Sequence, residues 1–221
     1  IWGGDETIKN IRKIPIPERS TEITFADRYS FCVINSSTIS ELNNDQLKNL
    51  IEKFYNDTYV MDQNACSSPH LIVWIGKENQ KSKDKFWSSL HQLVKKKYKL
   101  ENISAIDKYS KFMNDTLSLE NIKSSKRYDN LIYRISLKKL PKKIEHLRGK
   151  WGYFYEYDAV NITKIANWIN PKFQTLTYFG FDKPALKKLI IKYKLTGIDR
   201  VVPIGQSLNV GDTPTFGGMT I

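Results

Sequence analysis

Cysteine is nearly absent: the 221 residues include two, Cys32 and Cys66. Two thiols cannot staple a chain of this length, so its fold must rest on a packed core. Histidine is as scarce, with three residues, and no set of His, Cys and carboxylates has the spacing of a metal site, so no metal is expected. No apolar run approaches the roughly 18 residues that a membrane span needs. The first residues, Ile1-Trp2-Gly3-Gly4-Asp5-Glu6, show neither the basic nor the apolar stretch of a secretion signal. The expectation is a cytoplasmic protein without a membrane span.

What is present is ordinary in amount and uneven in sign. Apolar residues make up 40 % and charged residues 26 %, the balance of a globular domain. The formal net charge is +12. Such a surplus suits a nucleic-acid or anionic-membrane partner. It also suits lysines spread over solvated faces. The lysines fall in short separate groups, Lys95-Lys96-Lys97, Lys138-Lys139, Lys142-Lys143 and Lys187-Lys188, and no nucleic-acid motif accompanies them. No nucleic-acid partner is expected, and a basic nucleic-acid-binding module is kept as an alternative.

Hydrophobic patterning alternates between strand and helix. Ile1-Trp2-Gly3-Gly4 reads as a strand ending in a Gly turn, with a short helix from Asp5 to about Arg12. Pro15 and Pro17 mark a connector. Apolar runs at 31–34, 71–75, 131–135, 153–157, 173–181 and 199–204 predict strands. Stripes at Leu47, Leu50, Ile51 and Phe54, and at Phe86, Leu90, Leu93 and Val94, predict helices, as do 103–117, 161–169 and 184–195. Strands buried on both sides that alternate with helices imply an α/β fold with a largely parallel sheet in a three-layer arrangement.

Cys66 is the informative residue. It sits in a polar loop between a helix and a buried strand, among the small residues Ala65, Ser67 and Ser68. A carbonyl substrate could approach there, and backbone N–H groups could face a developing oxyanion. A lone cysteine is nevertheless more often a small core residue than a nucleophile. Cys32, within an apolar strand, is read as core. His70 is read as structural, although it could help ionise Cys66. His91 and His146 are read as surface residues.

The block Asp62-Gln63-Asn64-Ala65-Cys66-Ser67-Ser68-Pro69-His70 resembles the active-site segment of the LuxC-type fatty acyl-CoA reductases, members of the aldehyde dehydrogenase superfamily. Trp2-Gly3-Gly4-Asp5-Glu6, Phe25-Ala26-Asp27-Arg28-Tyr29-Ser30, Gln174 to Gly180 and Arg200 to Gln206 resemble further blocks of that family in the same order. The resemblance implies an aldehyde-dehydrogenase-like catalytic domain at 25–205. It implies a remnant of a dinucleotide-binding domain at 1–24, a C-terminal segment at 206–221, and a chain that is the C-terminal part of a longer protein. It further implies that Cys66 attacks an acyl-CoA or acyl-protein thioester, and that the acyl-enzyme is reduced by hydride from NADPH to fatty aldehyde. An acyl-transferring partner subunit and a homo-oligomer are implied as well.

Cofactor contacts are expected at Gly3 and Gly4, where a Gly turn before a helix suits phosphate or the nicotinamide end of a dinucleotide. They are also expected at Trp151 and Gly152, within Gly149-Lys150-Trp151-Gly152, which is similar to the superfamily's Glu-x-Phe-Gly segment but lacks its Glu. Phe216-Gly217-Gly218 is similar to a Gly-Gly turn near the superfamily's C-terminus and is given no role. Hydrolytic members carry Glu-Leu-Gly-Gly upstream of the cysteine. Here that region reads Thr24-Phe25-Ala26-Asp27-Arg28-Tyr29, and Asp27, the nearest carboxylate, is read as structural through an ion pair with Arg28. A cysteine-dependent acyltransferase or thioesterase without reduction is the remaining enzymatic alternative.

Overall fold

The computed structural model describes residues 1–77 and 80–209, and the backbone of two short strands, Thr215–Phe216 and Met219–Thr220. Its centre is a seven-stranded sheet. In chain order the strands are β1 (Tyr29–Asn35), β2 (Pro69–Ile75), β3 (Ile122–Tyr128), β4 (Ile132–Leu137), β5 (Tyr153–Ala159), β6 (Phe173–Phe179) and β7 (Arg200–Pro203). In space they run β3-β4-β5-β2-β1-β6-β7. All neighbours pair in parallel except β3, which runs antiparallel to β4 at the edge.

The helices are α1 (Asp5–Ile11), α2 (Ser36–Glu41), α3 (Asn44–Thr58), α4 (Gln80–Lys97), α5 (Asn102–Ser118) and α6 (Lys183–Lys192). Helix α3 starts at a capping box in which Asn43 and Gln46 satisfy each other's backbone N–H. Leu47, Leu50, Ile51 and Phe54 bury its inner stripe. Together with Phe86, Trp87, Leu90 and Val94 of α4 they cover Cys32, Ile34, Ile72 and Trp74 on one face of the sheet. On the other face Phe31, Val33, Leu71, Val73, Tyr133 and Tyr155 pack with Phe112 of α5 and with residues after β4 and β5. The three layers follow from strands apolar on both sides. Among the described residues no helix is long and apolar enough to cross a membrane.

The structure departs from the sequence expectations in places. The stretch 161–169 is mostly a 3-10 turn, Ile162–Asn167, rather than an α-helix. Helix α2 and strand β3 stand where the hydrophobic pattern predicts no element. Residues 1–3 join residues 23–25 through one parallel bridge, Trp2 with Phe25, and through hydrogen bonds of Ile1 with Ile23 and Phe25 and of Gly3 with Phe25.

Candidate active site

Cys66 lies in the connection from α3 to β2, half-buried. Because β2 follows it, the loop sits at the amino end of the parallel strands, whereas open α/β sheets usually place ligands beyond the carboxyl ends. The loop takes its shape from Asp62 and Gln63, both at positive φ (52° and 60°), a conformation non-glycine residues adopt only when neighbours hold them there.

The neighbours are specific. Gln63 is fully buried. Its Nε2 donates to the carbonyls of Pro69 (3.0 Å) and Tyr153 (3.1 Å). Its Oε1 accepts from the N–H of Gly152 (3.2 Å) and of Tyr153 (3.1 Å). Both donors and both lone pairs of the amide are thus used. The Trp151 N–H donates to the Asp62 carbonyl at 3.1 Å. The loop is held from two other directions. Ser68 Oγ donates to the Asp57 carbonyl at 2.8 Å, and Ser30 Oγ donates to the Cys66 carbonyl at 2.7 Å.

A tight turn follows, closed by the Ser68 N–H on the Ala65 carbonyl at 2.9 Å. Cys66 and Ser67 occupy its two central positions. Their N–H groups have no acceptor among the described residues, so two amides beside the thiol are available to an oxyanion. Nearby carboxylates are engaged elsewhere. Asp57 is buried at the end of α3 and accepts from the N–H groups of Gly205 (2.6 Å) and Ser207 (2.9 Å), which draws the chain after β7 back onto α3. Burial pushes its carboxyl above the usual range, while those amides and Arg200 pull it down. Asp27 accepts from the Asp5 N–H at 3.1 Å. That bond ties it to the first turn of α1. Arg28 donates to the Pro171 carbonyl.

His70 is buried, with Nδ1 3.0 Å from the Gly149 carbonyl and its ring stacked on Tyr29. Burial first, then nearby Arg148, lowers its pKa to about 3, so it is neutral. Its ring is committed to Gly149 rather than to the thiol. Cys32 is fully buried, and burial pushes its thiol far up, as suits core. His146 is exposed. His91 is not a free surface residue: Nε2 pairs with Asp129 at 3.0 Å and the ring lies against Tyr128.

The expected cofactor residues divide. Trp151 (φ 55°), half-buried, lies on the turn that Gln63 ties to the Cys66 loop. Gly152 (φ 82°) is glycine for packing: a Cβ there would meet Tyr59 Oη at 2.2 Å and the Leu131 carbonyl at 2.4 Å. It shapes the turn and leaves no opening. Gly3 and Gly4 lead into α1, whose first turn carries Asp5 and Glu6 and is capped by Asp27. Three carboxylates lie at that point, Asp5 paired with Lys172 and Glu6 near Lys9, and their charge disfavours a phosphate at the turn. Gly217 and Gly218 lie outside the described residues.

Sequence reasoning missed Gln63, Ser30 and Asp57. Gln63 and Ser30 stood in quoted blocks and Asp57 in none, and each has a partner distant in sequence. It also read the lysines as solvated. Lys83 is buried and paired with Asp158. Lys108 is buried and donates to the carbonyls of Asn130 and Trp151, and desolvation lowers its pKa to about 7.

Comparison with known proteins fits this geometry. The fold of aldehyde dehydrogenase 21 from Physcomitrella patens, solved with the product succinate, superposes with a TM-score of 0.64 at 12 % identity, covering 100 % of this chain and 46 % of that one. An NADP-dependent enzyme of E. coli gives 0.62 at 11 %, covering 99 % and 47 %. A 1-pyrroline-5-carboxylate dehydrogenase from Thermus with bound NAD gives 0.57 at 9 %, covering 99 % and 45 %. The chain therefore spans less than half the length of these solved structures, and at such identities they establish the fold. No protein of curated function matches the sequence. The family model for acyl-CoA reductase (LuxC) matches residues 1–219, and the chain belongs to that family.

Proposed function

We propose that Cys66 is the nucleophile of a reductase that converts a long-chain acyl-CoA, or an acyl-protein thioester, to fatty aldehyde at the expense of NADPH. The observation that carries this reading is the half-buried thiol in a turn with two uncommitted amides, locked to the Trp151 turn by Gln63.

The Cys66 thiolate attacks the thioester carbonyl. The N–H groups of Cys66 and Ser67 receive the charge on oxygen, each worth about 3 kcal/mol in the transition state. Coenzyme A departs as a thiolate, a good leaving group that needs little proton assistance, and the acyl group remains on sulfur. Asp57 and Asp27 are both bonded to backbone amides, so neither is placed to activate water. That arrangement favours reduction or thiol exchange over hydrolysis. A nicotinamide cofactor, when bound, would supply the hydride that the acyl carbon needs. Trp151 would hold its nicotinamide end beside the loop. The same two amides carry the oxygen of the resulting thiohemiacetal, and its collapse returns the Cys66 thiolate and releases aldehyde. An acyl-transferring partner subunit would deliver the acyl group where the donor is a protein thioester.

The test is to incubate the purified protein with a long-chain acyl-CoA and map added mass by peptide mass spectrometry. The expected adduct lies on Cys66, is released by neutral hydroxylamine and is absent from Cys66→Ala. A folded protein that gains no mass at Cys66 refutes the nucleophile. Adduct turnover to free fatty acid with no NADPH consumed would replace the reductase by a thioesterase.

A further inference from the structure

Lys108 of α5 is 1 % exposed. A buried ammonium ordinarily meets a carboxylate. Lys108 meets two carbonyls instead. Its Nζ donates to the Asn130 carbonyl, in the turn between β3 and β4, and to the Trp151 carbonyl at 2.7 Å. The ring of Tyr133 is centred 4.8 Å from the same nitrogen. The carboxylates of neighbouring elements are engaged elsewhere. Asp129 pairs with His91, Asp62 accepts from the Tyr98 hydroxyl, and Asp115 is shared by Lys111, Tyr153 and Tyr155. Asp107 is exposed on α5. The neighbouring cations rest over rings: Arg127 over Tyr133, Lys111 over Tyr153 and Lys150 over Trp151.

The Trp151 carbonyl belongs to a peptide group already in use. The other half of that group is the Gly152 N–H, which donates to Gln63 Oε1 at 3.2 Å. One peptide plane therefore stands between the Lys108 ammonium and Gln63. Hydrogen bonds in series polarise one another. A cation on the carbonyl oxygen draws charge through the amide and makes the N–H on its far side a stronger donor. Charge-assisted bonds are roughly twice as strong as neutral ones, so the effect depends on the ammonium's proton. On the same turn the Trp151 N–H holds the Asp62 carbonyl at 3.1 Å. Gln63 in turn grips the Pro69 carbonyl, on the far side of Cys66.

We propose that Lys108 is a positioning residue: acting through the Trp151–Gly152 peptide group, its ammonium fastens Gln63 and thereby the loop that carries Cys66. Burial lowers the pKa of this amine to about 7. The proton that the relay needs is therefore present in weakly acidic solution and is lost as pH rises past neutrality. The amine that remains still donates, but without charge. The loop is then held less firmly at alkaline pH, where ionisation of the thiol by itself would favour attack. The effect on rate rests on Cys66 being the nucleophile, and the positioning does not.

Amide-proton NMR of the purified protein, followed across neutral pH, tests it. The Gly152 amide proton is expected to move upfield, with a midpoint near pH 7, as Lys108 loses its proton. Lys108→Arg, which stays charged, and Lys108→Met, which carries no charge, should both abolish that step. Lys108→Met should show the alkaline position throughout. Cys66→Ala and His91→Gln, which remove the thiol and the imidazole paired with Asp129, should keep the step. The acylation rate of the wild type divided by that of Lys108→Arg cancels the ionisation of the thiol, and should fall about tenfold across the same step as the loop loosens. A Gly152 amide that does not move overturns the proposal, as does a step that survives in both Lys108 variants or vanishes in His91→Gln or Cys66→Ala. A flat ratio of rates overturns the link from Lys108 to Cys66. No adduct at Cys66, with the Gly152 step in place, refutes the nucleophile and leaves the positioning standing.

Discussion

Two buried polar clamps end on strand β5, and they are built from opposite materials. At the amino end, a neutral amide, Gln63, joins the Cys66 loop to Gly152 and Tyr153. On the α4 face, a carboxylate, Glu156, accepts from the indole N–H groups of Trp74 (2.7 Å) and Trp87 (2.8 Å) and pairs with Arg134 at 3.3 Å. The ionic clamp ties β2, β4, β5 and α4 together far from the thiol. The neutral one sits where chemistry is proposed. A saturated amide fixes position without placing a permanent charge beside Cys66. The difference teaches that rigidity at the site and rigidity of the frame are supplied by separate devices, and that they can be broken separately.

The largest effect is expected from Glu156→Leu. It strands Arg134 in the core, with Asp84 at 3.8 Å as its remaining carboxylate, and should cost about 3–5 kcal/mol in denaturant titration. Acylation of Cys66 by the protein that remains folded should hardly change. Gln63→Ala should behave in the reverse sense. Its stability loss is about 2 kcal/mol, from buried amides left unpaired, while acylation slows on the order of a hundredfold as the loop loses its register. Equal losses of stability and rate in both variants would erase the distinction between the two clamps.

His70 sharpens it by pH. Its folded pKa, about 3, lies below its unfolded value near 6.5. The unfolded chain therefore takes up a proton that the folded chain refuses. Stability present above pH 6.5 is lost as pH falls toward 3, by at most about 1.4 kcal/mol per pH unit from this group. The drop in urea midpoint from pH 7 to pH 5.5 and pH 4 should shrink once His70→Asn removes the group. The smallest effect is Ser30→Ala, which deletes the bond to the Cys66 carbonyl and should cost about 1 kcal/mol. Its acylation rate should fall between that of wild type and Gln63→Ala.

Much of the frame was legible because core strands announce themselves. Phe31 to Ile34 and Leu71 to Ile75 are apolar without interruption, and burial on both faces demands that. Strand β3 was hidden because Lys123-Ser124-Ser125-Lys126-Arg127 has no face to bury: it is an edge, and its polarity serves that position. Helix α2 was hidden because six residues capped by the Asn35 side chain leave no period to count. Cys66 stood out through its neighbours in sequence. What holds its loop did not, because Gln63 meets Gly152 across 89 residues, a separation that no local pattern records. Lys83 and Lys108 were misread for a related reason: a buried lysine is written with the same letter as a solvated one, and only its acceptors, Asp158 or the carbonyls of Asn130 and Trp151, tell them apart.

The strand order puts β2 fourth of seven, with three strands on either side. The thiol's loop therefore hangs from the middle of the sheet, the part with no free margin. Amide protons of Leu71 to Ile75 should exchange with deuterium only when the entire sheet opens. Cys66 is then tethered to the last portion of the protein to come apart, so loss of its acylation on heating and global melting should share one temperature.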